Sequence, residues 1–220
     1  MAERLDKLHL DGYSILQDKK NFCYGIDAVL LADFALKNTK SRIKDFETNK
    51  DFLFIDLGTG NGIIPILLAA KTGPRVKIQG IEIQAEIAEM ACRSVKINSL
   101  EERIEILEGD IKKIPQNLKG GFAQAVVSNP PYIPTDVIPT LQREVKDHEP
   151  RLALDGGKDG LDFYRRIASD AGKYMEKGGS LFMEVGENEA QAVVKLFKYC
   201  DYSMILKDDF GVDRYVKIVF

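Results

Sequence analysis

The chain has 220 residues, 45% of them hydrophobic, which is enough for a full core in one large domain or one domain with an appendage and excludes a disordered polypeptide. Its 31 basic and 34 acidic residues leave a net charge of -3, so no overall basic bias points to a polyanion partner, although a local basic patch is compatible with it. Three scattered cysteines and two histidines, His9 and His148, show neither metal-ligand spacing nor a disulfide framework, so free thiols in a reducing compartment and no metal are expected.

The first residues are charged and carry no apolar signal region, and no run approaches the ~20 apolar residues of a membrane span. A monomeric, cytoplasmic protein without membrane contact is the expectation. Residues 8–17 suggest a short hairpin around Asp11-Gly12. A helix is expected over 27–36 with Asp27 as its N-cap and Tyr24 packing beside it, then a charged surface connection over 37–51. A short buried strand over 52–56 runs into a glycine turn, Gly58 to Gly62. A helix follows over 63–71, a strand over 76–82, a helix over 85–98 and a strand over 103–107. Gly120-Gly121 breaks the chain before a strand over 122–127. Residues 133–160 are punctuated by proline and glycine, with one short helix near 135–146. A helix over 161–175, a strand over 180–185 and a helix over 189–199 come next. The end can pair as a hairpin of 202–206 with 215–219.

Strands alternating with helices of this length imply an α/β fold with a parallel sheet. The last two strands are too close in sequence for a helical crossover, so the sheet should end in an antiparallel edge. Residues 1–40 are expected to form a hairpin and helix covering the ligand site of a domain made by 41–220.

Ligands of open α/β sheets bind at the carboxyl ends of the strands. Asp56-Leu57-Gly58-Thr59-Gly60-Asn61-Gly62 stands at such an end. A dinucleotide fingerprint needs Gly-x-Gly-x-x-Gly; here the third glycine falls one residue early and Ile63 takes its place. The Asp56 carboxylate would repel a pyrophosphate and suits a ligand carrying an ammonium and a sulfonium, such as S-adenosylmethionine. Glu82 ends the next strand, where a carboxylate can accept hydrogen bonds from two ribose hydroxyls. Asp110 follows the third, placed to accept from an adenine amino group, with Ile111 covering the ring.

Ser128-Asn129-Pro130-Pro131-Tyr132 follows a further strand. The Asn129 side-chain oxygen and the Pro130 carbonyl can accept both hydrogens of a planar NH2 group, Tyr132 can lie on its flat face, and Pro131 stiffens the turn by fixing φ. Such acceptors favour the positive charge that develops on a nitrogen as it attacks, the logic of an oxyanion hole with the sign reversed. Asn129, Pro130 and Tyr132 are the candidate catalytic residues; Asn129 is also a candidate cofactor-binding residue with Asp56, Gly58 to Gly62, Glu82, Asp110 and Ile111.

Asp56 to Gly62, Glu82, Asp110 and Asn129 to Tyr132 together resemble the Rossmann-like class I S-adenosylmethionine-dependent methyltransferases, which implies a seven-stranded, mostly parallel sheet with an antiparallel C-terminal hairpin. The resemblance has two sources. Gln17, the run from Phe22 to Leu31, Gly80 to Gln84 and Met90 to Val95 resemble the bacterial methyltransferases of adenine-37 N6 in the valine tRNA. From about residue 126 the chain resembles the release-factor glutamine N5-methyltransferases, through Asn129 to Pro134, His148 to Pro150, Ala153 to Gly157, Asp159 to Tyr164, Glu184 to Gly186 and Asp209 to Arg214. Together they describe a mosaic, natural or constructed, with a junction near 119–126. The glutamine family as a rule adds a helical N-terminal domain that helps grip the release factor, which these residues do not include. The tRNA family does not usually carry the Gly156-Gly157 to Leu161 segment. The resemblance implies a release factor or a tRNA as substrate, and the acidic balance weighs against RNA. The remaining alternative is an S-adenosylmethionine-binding module without turnover. Arg75, Lys77, Lys112 and Lys113 are expected on the solvated surface, Asp208, Asp209 and Arg214 to order the terminal hairpin, and His148 to order the loop after the clamp that Asn129 to Tyr132 form around an NH2 group.

Overall fold

The structure, a computed structural model, describes residues 3–8, 10, 12–18, 23–46, 50–111, 123–146, 149–208 and 210–220. His9, Asp11, Phe22, Lys112, Lys113, Gly120, Gly121, Phe122, His148 and Asp209 lie outside the described residues. Strands β1 (Glu3–Lys7) and β2 (Ser14–Asp18) pair antiparallel in the N-terminal hairpin. The hairpin is fastened to helix α3 (Ala85–Ile97) and the residue that caps it: Ser14 N donates to Asn98 Oδ1 at 2.9 Å, and Leu16 N donates to Ser94 Oγ at 3.1 Å.

Helix α1 spans Ile26–Phe46, well beyond the expected end at 36, and it replaces most of the surface connection foreseen for 37–51. Ala28, Leu31, Ala32, Ala35, Thr39 and Ile43 form one buried stripe at helical spacing. The intervening lysines hide that period in the sequence. Arg42 donates from Nη1 to the Gly178 carbonyl at 2.6 Å and from Nη2 to Glu176 Oε1 at 2.7 Å, tying the second half of the helix to the sheet. The expected boundary at 40 therefore falls inside a continuous helix.

Strands β3 (Phe52–Leu57), β4 (Val76–Glu82) and β5 (Ile104–Glu108), with helix α2 (Ile63–Ala70) and α3, follow the expected order to within about a turn. After β6 (Ala123–Ser128), the single short helix expected near 135–146 resolves into a 3-10 turn at Ile138–Thr140 and two one-turn helices, α4 (Arg143–Lys146) and α5 (Arg151–Leu154). Helix α6 (Asp162–Asp170) stops short of the expected 175. Met175 instead opens strand β7 (Met175–Glu184), because it pairs with Ala123 and the Ala123 N–H donates to the Tyr174 carbonyl at 2.7 Å. Helix α7 (Ala190–Leu196) and the hairpin of β8 (Tyr202–Lys207) with β9 (Asp213–Val219) complete the chain.

The main sheet has seven strands in the order β5-β4-β3-β6-β7-β9-β8, parallel from β5 to β7 and antiparallel at the C-terminal edge, as expected. Side chains alternate across it. Phe52, Phe54, Val127, Phe182 and Tyr215 pack under α1 and α2 on one face; Leu53, Ile55, Val126, Leu181 and Met183 pack with Tyr164 and Ile167 of α6 on the other. With both faces covered, every residue of β3 and β6 is buried. From β3 the chain moves outward through β4 to β5, and from β6 outward through β7. The order therefore reverses between β3 and β6, where Leu57 pairs with Ser128. Among the described residues, no helix is long and apolar enough to cross a membrane.

Candidate active site

That reversal sets the carboxyl ends of β3 and β6 side by side, the place where such sheets hold ligands. A cavity of about 600 Å³ opens there. Ser128 Oγ donates to the Leu57 carbonyl at 2.8 Å and fixes the two strand ends to each other.

The β3 end supplies the glycine turn. Gly58, Gly60 and Gly62 have φ of 77°, 55° and 86°, the left-handed region that costs glycine little. The N–H groups of Gly58 and Thr59 both donate to the Ile81 carbonyl at 2.9 Å, pinning the turn onto β4. Gly80, noticed in the sequence only as part of a resemblance, makes this possible: a Cβ there would stand 2.8 Å from Thr59 Oγ1. Glu82 accepts from Gly60 N at 3.0 Å and from Gln84 N at 2.9 Å while lining the cavity.

Of the site residues expected from the sequence, Gly58, Thr59, Gly60, Glu82, Asp110, Ile111, Asn129, Pro130, Pro131 and Tyr132 line this one cavity. Asp56, Asn61 and Gly62 are not brought to its wall. Asp56 is fully buried and accepts from Thr59 Oγ1 at 2.6 Å; Asn61 Nδ2 donates to the Leu16 carbonyl at 3.2 Å; Gly62 packs on Ala91. These three brace the turn from behind.

Burial raises the Asp56 carboxyl from its ordinary 3.8 to about 7, with the Thr59 hydrogen bond opposing and the Glu82 charge adding to the rise. Its Oδ1 has no hydrogen-bond partner, which a neutral acid tolerates better than a carboxylate. The folded state thus favours protonated Asp56, so the stabilisation is complete below pH 3.8 and is lost as pH rises through about 7. Denaturant melts should show wild type losing stability relative to Asp56→Asn by up to a few kcal/mol between about pH 4 and 7, with a constant gap above.

The β6 end supplies the clamp. Asn129 lines the cavity, and its amide takes no hydrogen-bond partner among the described residues. Tyr132 is held on several sides. Its hydroxyl donates to Glu184 Oε1 at 3.4 Å, and burial pushes its pKa up. A Cβ on Gly186 would lie 3.0 Å from its Cδ2. The segment after the clamp returns beneath it: Ile133 N donates to the Leu154 carbonyl at 3.0 Å, Gly156 N to the Ile133 carbonyl at 2.9 Å and Thr135 N to the Gly157 carbonyl at 2.9 Å.

Two acids expected to play other parts, or none, stand in the cavity wall. Asp27, foreseen as a helix cap, lines the cavity from the first turn of α1, with Tyr24 beside it. Glu184, noticed only as part of a resemblance, lines it from the end of β7. Cys23, one of the cysteines expected as free thiols, is exposed and lines the cavity too. Asp208 and Arg214 form an ion pair at 3.3 Å that orders the terminal hairpin as foreseen. Among the described residues, no group of His, Cys, Asp and Glu is arranged to hold a metal.

Charge distinguishes this cavity. The acids Asp27, Glu82, Asp110 and Glu149 line it beside Glu184, whose carboxyl burial raises to about 8, and no lysine, arginine or histidine does among the described residues. Such a wall repels a pyrophosphate and attracts a cation.

The family described as Methyltransferase domain matches residues 48–187. A protein of Caulobacter vibrioides named release factor glutamine methyltransferase is 40% identical over 156 residues, 71% of this chain and 53% of that protein. One of the same name from Geobacter sulfurreducens is 38% identical over 74% of this chain and 56% of its own length, so this chain spans little more than half of both. A third, from Agrobacterium fabrum, is 34% identical over 206 residues, 92% of this chain and 68% of that protein, so the likeness reaches across the glycine-turn half as well. Among solved structures, the hMettl16 catalytic domain bound to a 3'UTR hairpin aligns over 94% of this chain and 75% of its own with a TM-score of 0.68 at 16% identity. The human methyltransferase 10 domain containing protein aligns over 90% and 84%, with a TM-score of 0.62 at 16% identity. These two share the fold.

Proposed function

Because the chain belongs to the methyltransferase domain family, we propose that it transfers the methyl group of S-adenosylmethionine to a planar NH2 nitrogen, the N5 of a glutamine in a peptide-chain release factor. The observation that carries this reading is one acid-walled cavity bounded by the glycine turn on one side and by Asn129 to Tyr132 on the other.

The residues present fit the donor. It is a cation, and the lining charges are all negative. A side chain at Gly58 would project into open space, so the bare backbone leaves room for a ligand to approach. Gly58, Thr59 and Gly60 would cradle it, Glu82 would accept from ribose hydroxyls, Asp110 would accept from the adenine amino group, and Ile111 would cover the ring. When bound, S-adenosylmethionine supplies a methyl group already activated by a sulfonium. The protein's task is then the nucleophile, whose amide lone pair is delocalised. Asn129 Oδ1 and the Pro130 carbonyl each accept one N–H of the substrate and favour the charge that appears on nitrogen during attack. Tyr132 lies on the planar group, and Pro131 restricts the backbone between them. Holding the reactants in this way supplies much of the rate, because the methyl group needs no further activation.

The release factor as substrate rests on the names of the relatives, above all the one matched along 92% of this chain. Incubation with labelled S-adenosylmethionine, a release factor bearing a Gly-Gly-Gln loop, and tRNA side by side tests it. Label is expected on the loop glutamine. Label on tRNA adenine instead, or cofactor binding by calorimetry with no label on either substrate, overturns the reading.

A further inference from the structure

Glu184 is the buried acid for which the proposed mechanism has no task. It ends β7 with 1% of its surface exposed and lines the cavity. Its Oε1 accepts from the Tyr132 hydroxyl at 3.4 Å, while Oε2 is buried without a hydrogen-bond partner. Every element packed around it brings a charged or titratable group. Asp27 comes from α1, Tyr132 from the segment after β6, and Arg214 and Tyr215 from β9, with Tyr215 directly opposite Glu184 in the strand register. Tyr164 of α6 donates its hydroxyl to the Glu184 backbone carbonyl at 2.9 Å, and Glu189 lies just ahead of α7. The cation among these, Arg214, is already paired with Asp208. A carboxylate at this place would be a buried charge without an ion-pair partner, beside a second acid, which is costly.

Resting on the function proposed above, we propose that Glu184 is a positioning residue that, as the neutral acid, holds the Tyr132 ring where it can lie against the substrate NH2 group. Burial, with Asp27 adding, raises the Glu184 carboxyl to about 8, opposed by Arg214 and by the Tyr132 hydrogen bond, so the neutral form prevails at pH 7. Above that value the ionised group is relieved by drawing Arg214 away from Asp208 or by opening toward solvent, and both movements displace Tyr132. Small displacements of this kind cost up to about 100-fold in rate.

The sign of the effect follows from the raised value. Folding stability contributed by the neutral acid is complete below 4.5, the ordinary value, and is lost as pH rises through about 8. Glu184→Gln keeps a neutral acceptor for the Tyr132 hydroxyl and removes the titration. In denaturant melts from pH 5 to 9, wild type should lose stability relative to Glu184→Gln and level off above about 8. In ¹³C-glutamate NMR titrations, Tyr132→Phe should move the Glu184 midpoint upward, because the lost hydrogen bond favoured the ionised form. In transfer assays Glu184→Gln should retain kcat at pH 7 and lack the alkaline decline of wild type. Glu184→Ala should lose about 10- to 100-fold in kcat with cofactor affinity unchanged. A stability gap that does not vary with pH, a midpoint unmoved by Tyr132→Phe, or an Glu184→Gln enzyme as slow as Glu184→Ala would each overturn the proposal. The melts and the titration use no substrate, so they decide the role of Glu184 even if wild type methylates neither release factor nor tRNA.

Discussion

Replacing Asn129 by alanine is expected to slow methyl transfer about a hundredfold, on the order of 3 kcal/mol, by removing one of two acceptors aimed at charge that develops on the attacking nitrogen. The fold makes this a clean experiment. Asn129 sits where β6 ends, its neighbour Ser128 rather than Asn129 carries the bond to β3, and its own amide has no partner among the described residues to lose. Stability should therefore move by no more than about 0.5 kcal/mol, as for a side chain engaged with nothing. Single-turnover transfer to a saturating release factor gives the chemical step, and calorimetry with cofactor alone shows whether the donor side is intact. A variant within a fewfold of wild type in single turnover would remove Asn129 from the clamp.

Gly156→Ala should be as damaging from a distance. A Cβ at Gly156 would stand 2.7 Å from the Gly160 carbonyl oxygen and 2.8 Å from Cα and C of Tyr132, all backbone atoms that cannot rotate away. Overpacking of this kind costs about 1–3 kcal/mol of stability. The larger consequence is catalytic, because the atoms that must move belong to the clamp, and a displacement near 1 Å can cost about 100-fold in rate. Gly172→Ala is the matched control: its Cβ meets nothing within 4 Å, so rate and stability should be nearly unchanged. Equal activities for the two variants would show that the segment after the clamp does not set its position. The same packing gives Gly156 and Gly160, which the sequence offered only as a resemblance, a physical reason: the chain passes close beneath Tyr132 there and has no room for side chains, while Gly157 between them has φ 89° and lies against the Asp162 side chain.

What the sequence disclosed depended on how local each signal was. Strand β4 was legible to the residue because Val76, Ile78 and Ile81 lie between Gly73-Pro74 before them and an acid at the strand's end. The glycine turn and Glu82 were legible because a strand, a turn and the next strand end are set by spacing. Helix α1 was cut short because lysines outnumber the buried Thr39 and Ile43 along its second half, although those two extend the stripe. Helix α6 was overextended because Tyr174 and Met175 continue an apolar pattern, and only pairing with Ala123 draws them into β7. Asp56 shows a different limit. The sequence places an acid at a strand end without saying on which side of the turn its carboxyl falls, and here it points behind the turn to Thr59. Asp27 and Glu184 lie far apart in the chain, and their meeting in one wall follows from the packing of α1 against β7, which no local pattern records.

The pairing of β3 with β6 also bears on how the protein opens. The glycine turn and the clamp are carried by neighbouring central strands, each flanked on both sides, while β5 and β8 form the frayable margins of the sheet. Local unfolding proceeds from such margins inward in cooperative units. The two motifs therefore belong to one unit, and loss of an edge strand leaves both in register with each other. Parallel pairing between segments so distant in sequence is also slow to form. The candidate site is therefore expected to form late, together with the middle of the sheet.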